Sequence, residues 1–461
     1  MKAISLLLLA ILATTVAFGQ LSPLTVSNNQ RYLVREDGKP FFWLGDTAWE
    51  LFHRLSKEEA ELYLRNRAEK GFTVIQAVAL AELDGLHTPN FYGEVPLEED
   101  DPTRPREAYF QHVDWVLNKA EELGLYVGLL PTWGDKVYLA GWGVGPEIFT
   151  PENAKVYGEW LGKRYRDRSN IIWIVGGDRN PRNEREENIW RAMAAGIEAG
   201  VGSRNKALLT FHPQPNGLND GGSAKWFHQD EWLDFNMFQT GHCRENPVWD
   251  RIQYTYQLEP TKPVIDGETI YEDHPVCFNA KDLGTSSAYD VRKHAYLAVF
   301  AGAFGHTYGC HDIWQMYAPN RKGINGPHFP WYVAMELEGA SQMRYLRALM
   351  ESRPMLERIP DQALLTSGRY EHDRIQATRG ESYLMVYSSQ GRGFEVRTDV
   401  LTGQDLIAHW YNPRTGEIQE AGSFPKQEKQ TFTPPKSGYG QDWVLIVDDA
   451  SKGYGMPKVG E

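Results

Sequence analysis

The run Ile171-Ile172-Trp173-Ile174-Val175-Gly176, followed at once by Gly177-Asp178-Arg179-Asn180, decides how this chain is read. An uncharged, nearly continuous apolar run of this length is what a parallel strand buried on both faces requires. The polar group behind it begins where such a strand would reach its C-terminal rim. Outward in both directions the same kind of run recurs, at Phe41–Gly45, Thr73–Ala79, Leu125–Leu130, Ala207–Phe211, Phe235–Gln239, Pro263–Gly267 and Ala301–Thr307. Helical patterns fill the gaps. Ser56-Lys57-Glu58-Glu59 is a capping box, and Glu107–Leu123 reads as a helix stopped by Gly124. Pro151–Tyr165, Glu186–Ala199 and Tyr289–Phe300 continue the alternation. Eight strands alternating with helices predict an α/β fold, a (β/α)8 TIM barrel with loop insertions. An open doubly wound sheet would want a Gly-rich phosphate loop after its first strand, and none is there.

After about residue 355 the pattern changes to short alternating strands with Gly and Pro turns: Arg369–Thr378, Glu381–Ser388, Gly393–Arg397, Asp405–Tyr411 and Asp442–Asp448. Asn412-Pro413-Arg414-Thr415-Gly416 is a turn signal. These predict a C-terminal antiparallel β-sandwich domain over 356–461, after a barrel domain over 20–355. A further strand pair near Leu24–Val34 fits either unit.

Lys2, an apolar run from Ala3 to Ala13 and small residues ending at Gly19 predict a signal peptide over 1–19 and export to the periplasm or beyond the cell. No later stretch reaches the length of a membrane span, so no membrane insertion is expected. The net charge of −13 argues against nucleic acid as a partner. Three cysteines, Cys243, Cys277 and Cys310, allow at most one disulfide and leave open whether it forms. The run Cys310-His311-Asp312 beside His242-Cys243 matches no tight zinc spacing, so neither metal nor cofactor is expected. Fifteen Trp and 23 Tyr among acids and amides suit a carbohydrate cleft, where flat C–H faces take ring partners and hydroxyls take polar ones.

In this kind of barrel the chemistry sits at the C-terminal strand ends. Those ends bring Asp46 and Trp49 from strand 1, Asp178 from strand 4, His212 from strand 5, Gln239 and His242 from strand 6, Glu268 from strand 7, and His306 with Trp314 from strand 8. Trp133 and Trp142 follow strand 3. Glycoside hydrolysis needs two carboxyl groups flanking one bond, one protonated and one ionised. Asp178 and Glu268, three strands apart around the ring, can face each other across the mouth. We read Glu268 as nucleophile and Asp178 as acid/base, with the gap of about 5–5.5 Å that goes with retention. Asp266 shares a strand face with Glu268 and reads as a deeper supporting acid. Asp46, Trp49, Trp133, His212, Gln239, His242, His306 and Trp314 are the expected substrate-binding residues.

The segments Trp43-Leu44-Gly45-Asp46-Thr47-Ala48-Trp49, Gly71-Phe72-Thr73-Val74-Ile75-Gln76, Trp173-Ile174-Val175-Gly176-Gly177-Asp178 and Pro263-Val264-Ile265-Asp266-Gly267-Glu268 resemble glycoside hydrolase family 140, the apiosidase-like enzymes. The resemblance spans nearly the whole chain after residue 19, and the C-terminal part looks like a module labelled collagen-binding. It implies cleavage of apiose-bearing side chains of the pectin rhamnogalacturonan-II. It also implies an aspartate acid/base that matches Asp178 and a glutamate nucleophile that matches Glu268. The strand 4 motif departs from the Asn-Glu pair of related barrel hydrolases. The rival readings are a non-catalytic carbohydrate- or matrix-binding protein, a metal-dependent hydrolase, and a glycosidase of this fold acting on another glycan.

Overall fold

The computed structural model describes residues 21–459 apart from 216, 218, 219 and 368–372. The signal peptide expected over 1–19, and the start of the strand expected from Arg369, lie outside the described residues.

Eight parallel strands form the inner ring: β1 (Trp43–Thr47), β2 (Val74–Leu80), β3 (Tyr126–Thr132), β4 (Ile171–Gly176), β5 (Leu209–His212), β6 (Asn236–Gln239), β7 (Val264–Glu268) and β8 (Gly305–Tyr308). Every residue in them is buried, which is why they read as unbroken apolar runs rather than alternating ones. β8-β1-β2-β3-β4-β5 make one hydrogen-bonded sheet and β6-β7 a second. Single bonds bridge the two seams, Asp234 N to Leu209 O at 2.9 Å and Phe304 N to Val264 O at 3.1 Å, so the sheet curls into a ring. The eighth strand begins at Gly305, four residues later than expected. Ala301–Phe304 is apolar because it is packed under the barrel as a turn, with Gly302 at φ +122°, and burial alone gives no period to tell turn from strand.

The helices stand where their caps place them. Ser56 and Thr150 each form a complete capping box, opening Lys57–Glu69 and Pro151–Arg164. The strands Leu24–Val26 and Leu33–Arg35 pair antiparallel and belong to the barrel. They close its lower end, where Tyr126, the first residue of β3, donates to Ser22 O.

The C-terminal domain contains β9 (Ile359–Pro360), β10 (Ile375–Arg379), β11 (Tyr383–Ser388), β12 (Phe394–Val396), β13 (Asp405–Tyr411), β14 (Ile418–Pro425), β15 (Gln430–Phe432) and β16 (Trp443–Asp449). An antiparallel sheet in the order β9-β10-β11-β16-β13-β14 faces the short pair β12-β15. β14 and β15 escaped the sequence reading because they are largely polar and solvent-facing. Successive side chains of a strand point to opposite faces, and β11 uses both. Leu384 and Val386 enter the sandwich core, while Tyr383, Met385 and Tyr387 join the core of the barrel. β16 repeats this with Leu445 and Val447 against Val444 and Ile446. Between sheet and barrel lies the helix Ala288–Phe300, buried all round from Tyr289 onward. One face of the C-terminal sheet therefore extends the barrel's apolar core, while the other closes a separate sandwich core.

Candidate active site

At the end of β4 the backbone turns through three left-handed residues, Gly176 (φ +101°), Gly177 (φ +118°) and Asp178 (φ +53°). A side chain at 176 would bring its Cβ to 2.4 Å from His212 O, and one at 177 to 2.8 Å from the Trp133 ring, so both must be glycine. Aspartate is among the few other residues that tolerate this region. The turn lifts Asp178 to the rim, its side chain still 15 % exposed. Trp142 Nε1 donates to its Oδ2 at 2.8 Å, and Arg179 Nη1 lies 3.4 Å from the same oxygen. The loop that carries Trp142 is held from below. Asp135 Oδ2 accepts from Val144 N and Gly145 N, and Arg179 Nη2 donates to Trp142 O at 2.6 Å.

Glu268 ends β7 beyond a bulge. Phe238 pairs with Asp266 and Gln239 with Glu268, leaving Gly267 without a partner. The extra residue re-aims the strand, so Asp266 and Glu268 do not share a surroundings as their spacing suggested. Asp266 is fully buried, accepts from Thr240 Oγ1 and from Glu268 N, and braces the turn from beneath. Glu268 meets two imidazoles: His212 Nε2 lies 3.2 Å from Oε2 and His242 Nε2 lies 3.4 Å from Oε1. His212 is wedged against Trp49 and Trp133, with ring centroids at 5.3 and 5.9 Å. His242 is fixed through its Nδ1, 3.1 Å from Thr269 O. A disulfide between Cys243 and Cys277 clamps the loops after β6 and β7 beside it, and Cys310 is buried and free.

The two carboxyls are driven apart electrostatically. Burial and the charge of Glu268 push Asp178 up to about 6, against the opposing pull of Arg179. Burial works to raise Glu268 too, but its two histidine partners outweigh that and hold it well below the usual carboxylate range. One carboxyl is thus protonated and the other ionised in slightly acidic water. Divergent environments for paired carboxyls are the mark of acid and nucleophile roles.

Both line a cavity of about 590 Å³ at the barrel mouth, together with Trp49, Trp133, Trp142, Gln239, His242 and Trp314. His212 does not reach the cavity and stands behind Glu268. Two expected binding residues lie elsewhere. Asp46 is fully buried under the mouth, 2.5 Å from Arg67 Nε and 2.7 Å from Tyr63 Oη, so its charge serves a buried pair. His306 is fully buried in the barrel, where desolvation pulls its imidazole down to about 3. β1 and β8 were the strands whose rim was placed too low by a residue or more; the cavity takes Trp49 and Trp314 from them instead.

The sequence reading missed Glu82, Tyr271 and His274, which also line the cavity. Glu82 lies two residues past β2, whose rim yielded no candidate. Tyr271 accepts from Trp49 Nε1 at 3.2 Å and packs its ring 4.4 Å from His242. His274 packs tilted against His242, ring centroids 4.2 Å apart, and edge-on to His311 at 4.6 Å. Among the described residues no cluster of His, Cys, Asp and Glu has the arrangement of a metal site. No helix among them is long and apolar enough to cross a membrane.

A family model described as "Apiosidase-like, catalytic domain" matches residues 27–357, and one described as "Putative collagen-binding domain of a collagenase" matches 359–448. A solved structure named glycoside hydrolase is similar at 37% identity and a TM-score of 0.84, covering 93% of this chain and 97% of its own. A crystal structure of a glycoside hydrolase family 5 protein from Bacteroides vulgatus ATCC 8482 is similar at 35% identity and a TM-score of 0.85, covering 94% of both chains. A search of curated proteins gives no match.

Proposed function

Since this chain belongs to the apiosidase-like family and is a glycoside hydrolase, we propose that it is an exported, retaining enzyme acting on apiose-bearing side chains of pectic polysaccharide, with Glu268 as nucleophile and Asp178 as acid/base. The observation that supports this most is the opposed electrostatics of the two carboxyls in one cavity. In the first step a Glu268 oxygen attacks the anomeric carbon while Asp178 gives its proton to the departing glycosidic oxygen. Asp178, now ionised, takes a proton from water, and the resulting hydroxide displaces Glu268 from the sugar. Both steps pass through a cationic sugar ring, which the nearby Glu268 charge stabilises. Trp49, Trp133, Trp142 and Trp314 supply ring faces for the sugar, and Gln239 and His242 supply polar contacts.

The pectic substrate rests on the family resemblance, and export rests on the N-terminal run of Lys2 to Gly19. The test is incubation with rhamnogalacturonan-II oligosaccharides, identifying the released sugar and following its first-formed anomer by proton NMR. Free apiose in the configuration of the substrate supports the reading. Release of another sugar would overturn the substrate, and the opposite anomer would overturn retention.

A further inference from the structure

The cavity contains a third carboxyl, on the side of Asp178, for which the two-acid reaction has no use. Glu82 is only 8 % exposed, and what exposure it has opens onto the cavity. Among the described residues none makes a hydrogen bond or ion pair with its carboxyl. A partner for this carboxyl must therefore come from what the cavity holds. The neighbouring acids show the contrast. Asp135 is paired with Lys136 at 2.8 Å and caps two backbone N–H groups. Glu50 accepts from His53 at 2.6 Å and from Leu83 N at 3.1 Å. That second bond fixes the backbone beside Glu82, so its position is built rather than incidental.

Its surroundings also set its form. Burial above all pushes Glu82 well above the usual carboxylate range, Asp178 when ionised and Asp135 add to it, and Arg179 only partly opposes this. As a neutral acid it carries one donor and one acceptor, which matches the two hydrogen-bonding faces of a sugar hydroxyl.

We propose that Glu82 is a substrate-binding residue that takes a hydroxyl of the bound sugar through both carboxyl oxygens, one donating and one accepting. This rests on the proposed glycosidase site and adds a specificity element to it. A sugar lacking that hydroxyl would leave Glu82 buried and unpaired, so the cavity selects against deoxygenated analogues.

The test uses full-length Asp178→Asn protein, in which turnover is slowed, and measures the affinity for rhamnogalacturonan-II oligosaccharides by calorimetry. Adding Glu82→Ala is expected to weaken binding on the order of a hundredfold, the loss of a buried polar partner. Adding Glu82→Gln, which keeps a neutral donor and acceptor of the same shape, is expected to recover all but a few-fold of that loss. An alanine variant that binds within twofold of its parent would overturn the inference. Equal losses in alanine and glutamine would overturn it too, since an ionised carboxylate would then be what matters. A parent protein that binds none of these glycans would instead overturn the pectic reading itself. Melting temperatures of the three proteins separate lost contact from lost fold.

Discussion

Two groups of buried carboxylates in this molecule are treated in opposite ways. At the seam between barrel and sandwich, Arg292 grips Asp442 with two bonds of 2.8 Å, and Arg353 grips Asp448 with bonds of 2.9 and 2.7 Å. Tyr387 Oη and Arg414 Nη1 each add a further donor to Asp442 at 3.1 Å. Such two-pronged pairs fix geometry and leave no lone pair wanting. At the barrel mouth, Asp178 has one indole donor and a distant guanidinium, Glu268 has two oblique imidazoles, and Glu82 has nothing among the described residues. A paired buried acid holds parts together. A loosely held one has its proton affinity displaced by burial and by its titratable neighbours, and that displacement is what acid–base chemistry draws on.

The comparison can be broken most directly at the mouth. Glu268→Gln and Asp178→Asn are each expected to lower kcat by about 10²–10⁴-fold or more, with the melting temperature within a few degrees of the parent. A stability loss as large as the activity loss would erase the distinction between the two regions. At the seam the effect should fall on stability instead. Arg292→Met removes the two-pronged partner of buried Asp442 while Arg414 still pairs with it, and is expected to cost about 2–4 kcal/mol in denaturant unfolding. The kcat of the molecules that remain folded should stay at the parent value. Replacing Cys243 and Cys277 by serine sits between the regions, since it frees a 34-residue span whose ends frame His242. Loss of that cross-link is expected to destabilise by about 2–4 kcal/mol. The smallest effect sharpens the electrostatic side. Trp142→Phe removes a hydrogen bond that favours the charged form of Asp178. The alkaline limb of the kcat/KM profile should therefore move to higher pH, by roughly half a unit to one unit. A shift to lower pH would contradict the role given to Asp178.

The barrel was legible because burial on both faces writes itself into long apolar runs, and the capping box at Ser56 marks where a helix begins. Burial also hid detail. Ala301–Phe304 is as apolar as a strand yet forms a turn, and β14 and β15 are too polar and exposed to announce themselves. In the site, the strand-end rule placed Asp178, Glu268, Trp133, Gln239, His242 and Trp314 on one cavity. It failed where the rim lay higher than the pattern suggested. Asp46 and His306 look like rim residues but end below it. Glu82, beyond the end of β2, reaches the mouth through a loop whose course no periodicity encodes. The bulge that turns Glu268 away from Asp266 falls at Gly267, where the Met237 side chain fills the space a Cβ would need, a three-dimensional fact with no signature in the spacing of the acids.

The action of Asp178 and Glu268 on opposite sides of one glycosidic bond is tested most directly by adding azide to Asp178→Ala and Glu268→Ala proteins with an aryl glycoside substrate and identifying the sugar products. The account predicts that azide restores turnover in both, giving a glycosyl azide of retained configuration from the Asp178 variant and of inverted configuration from the Glu268 variant. Parent-like rates without azide in either variant, or the same anomer from both, would contradict it.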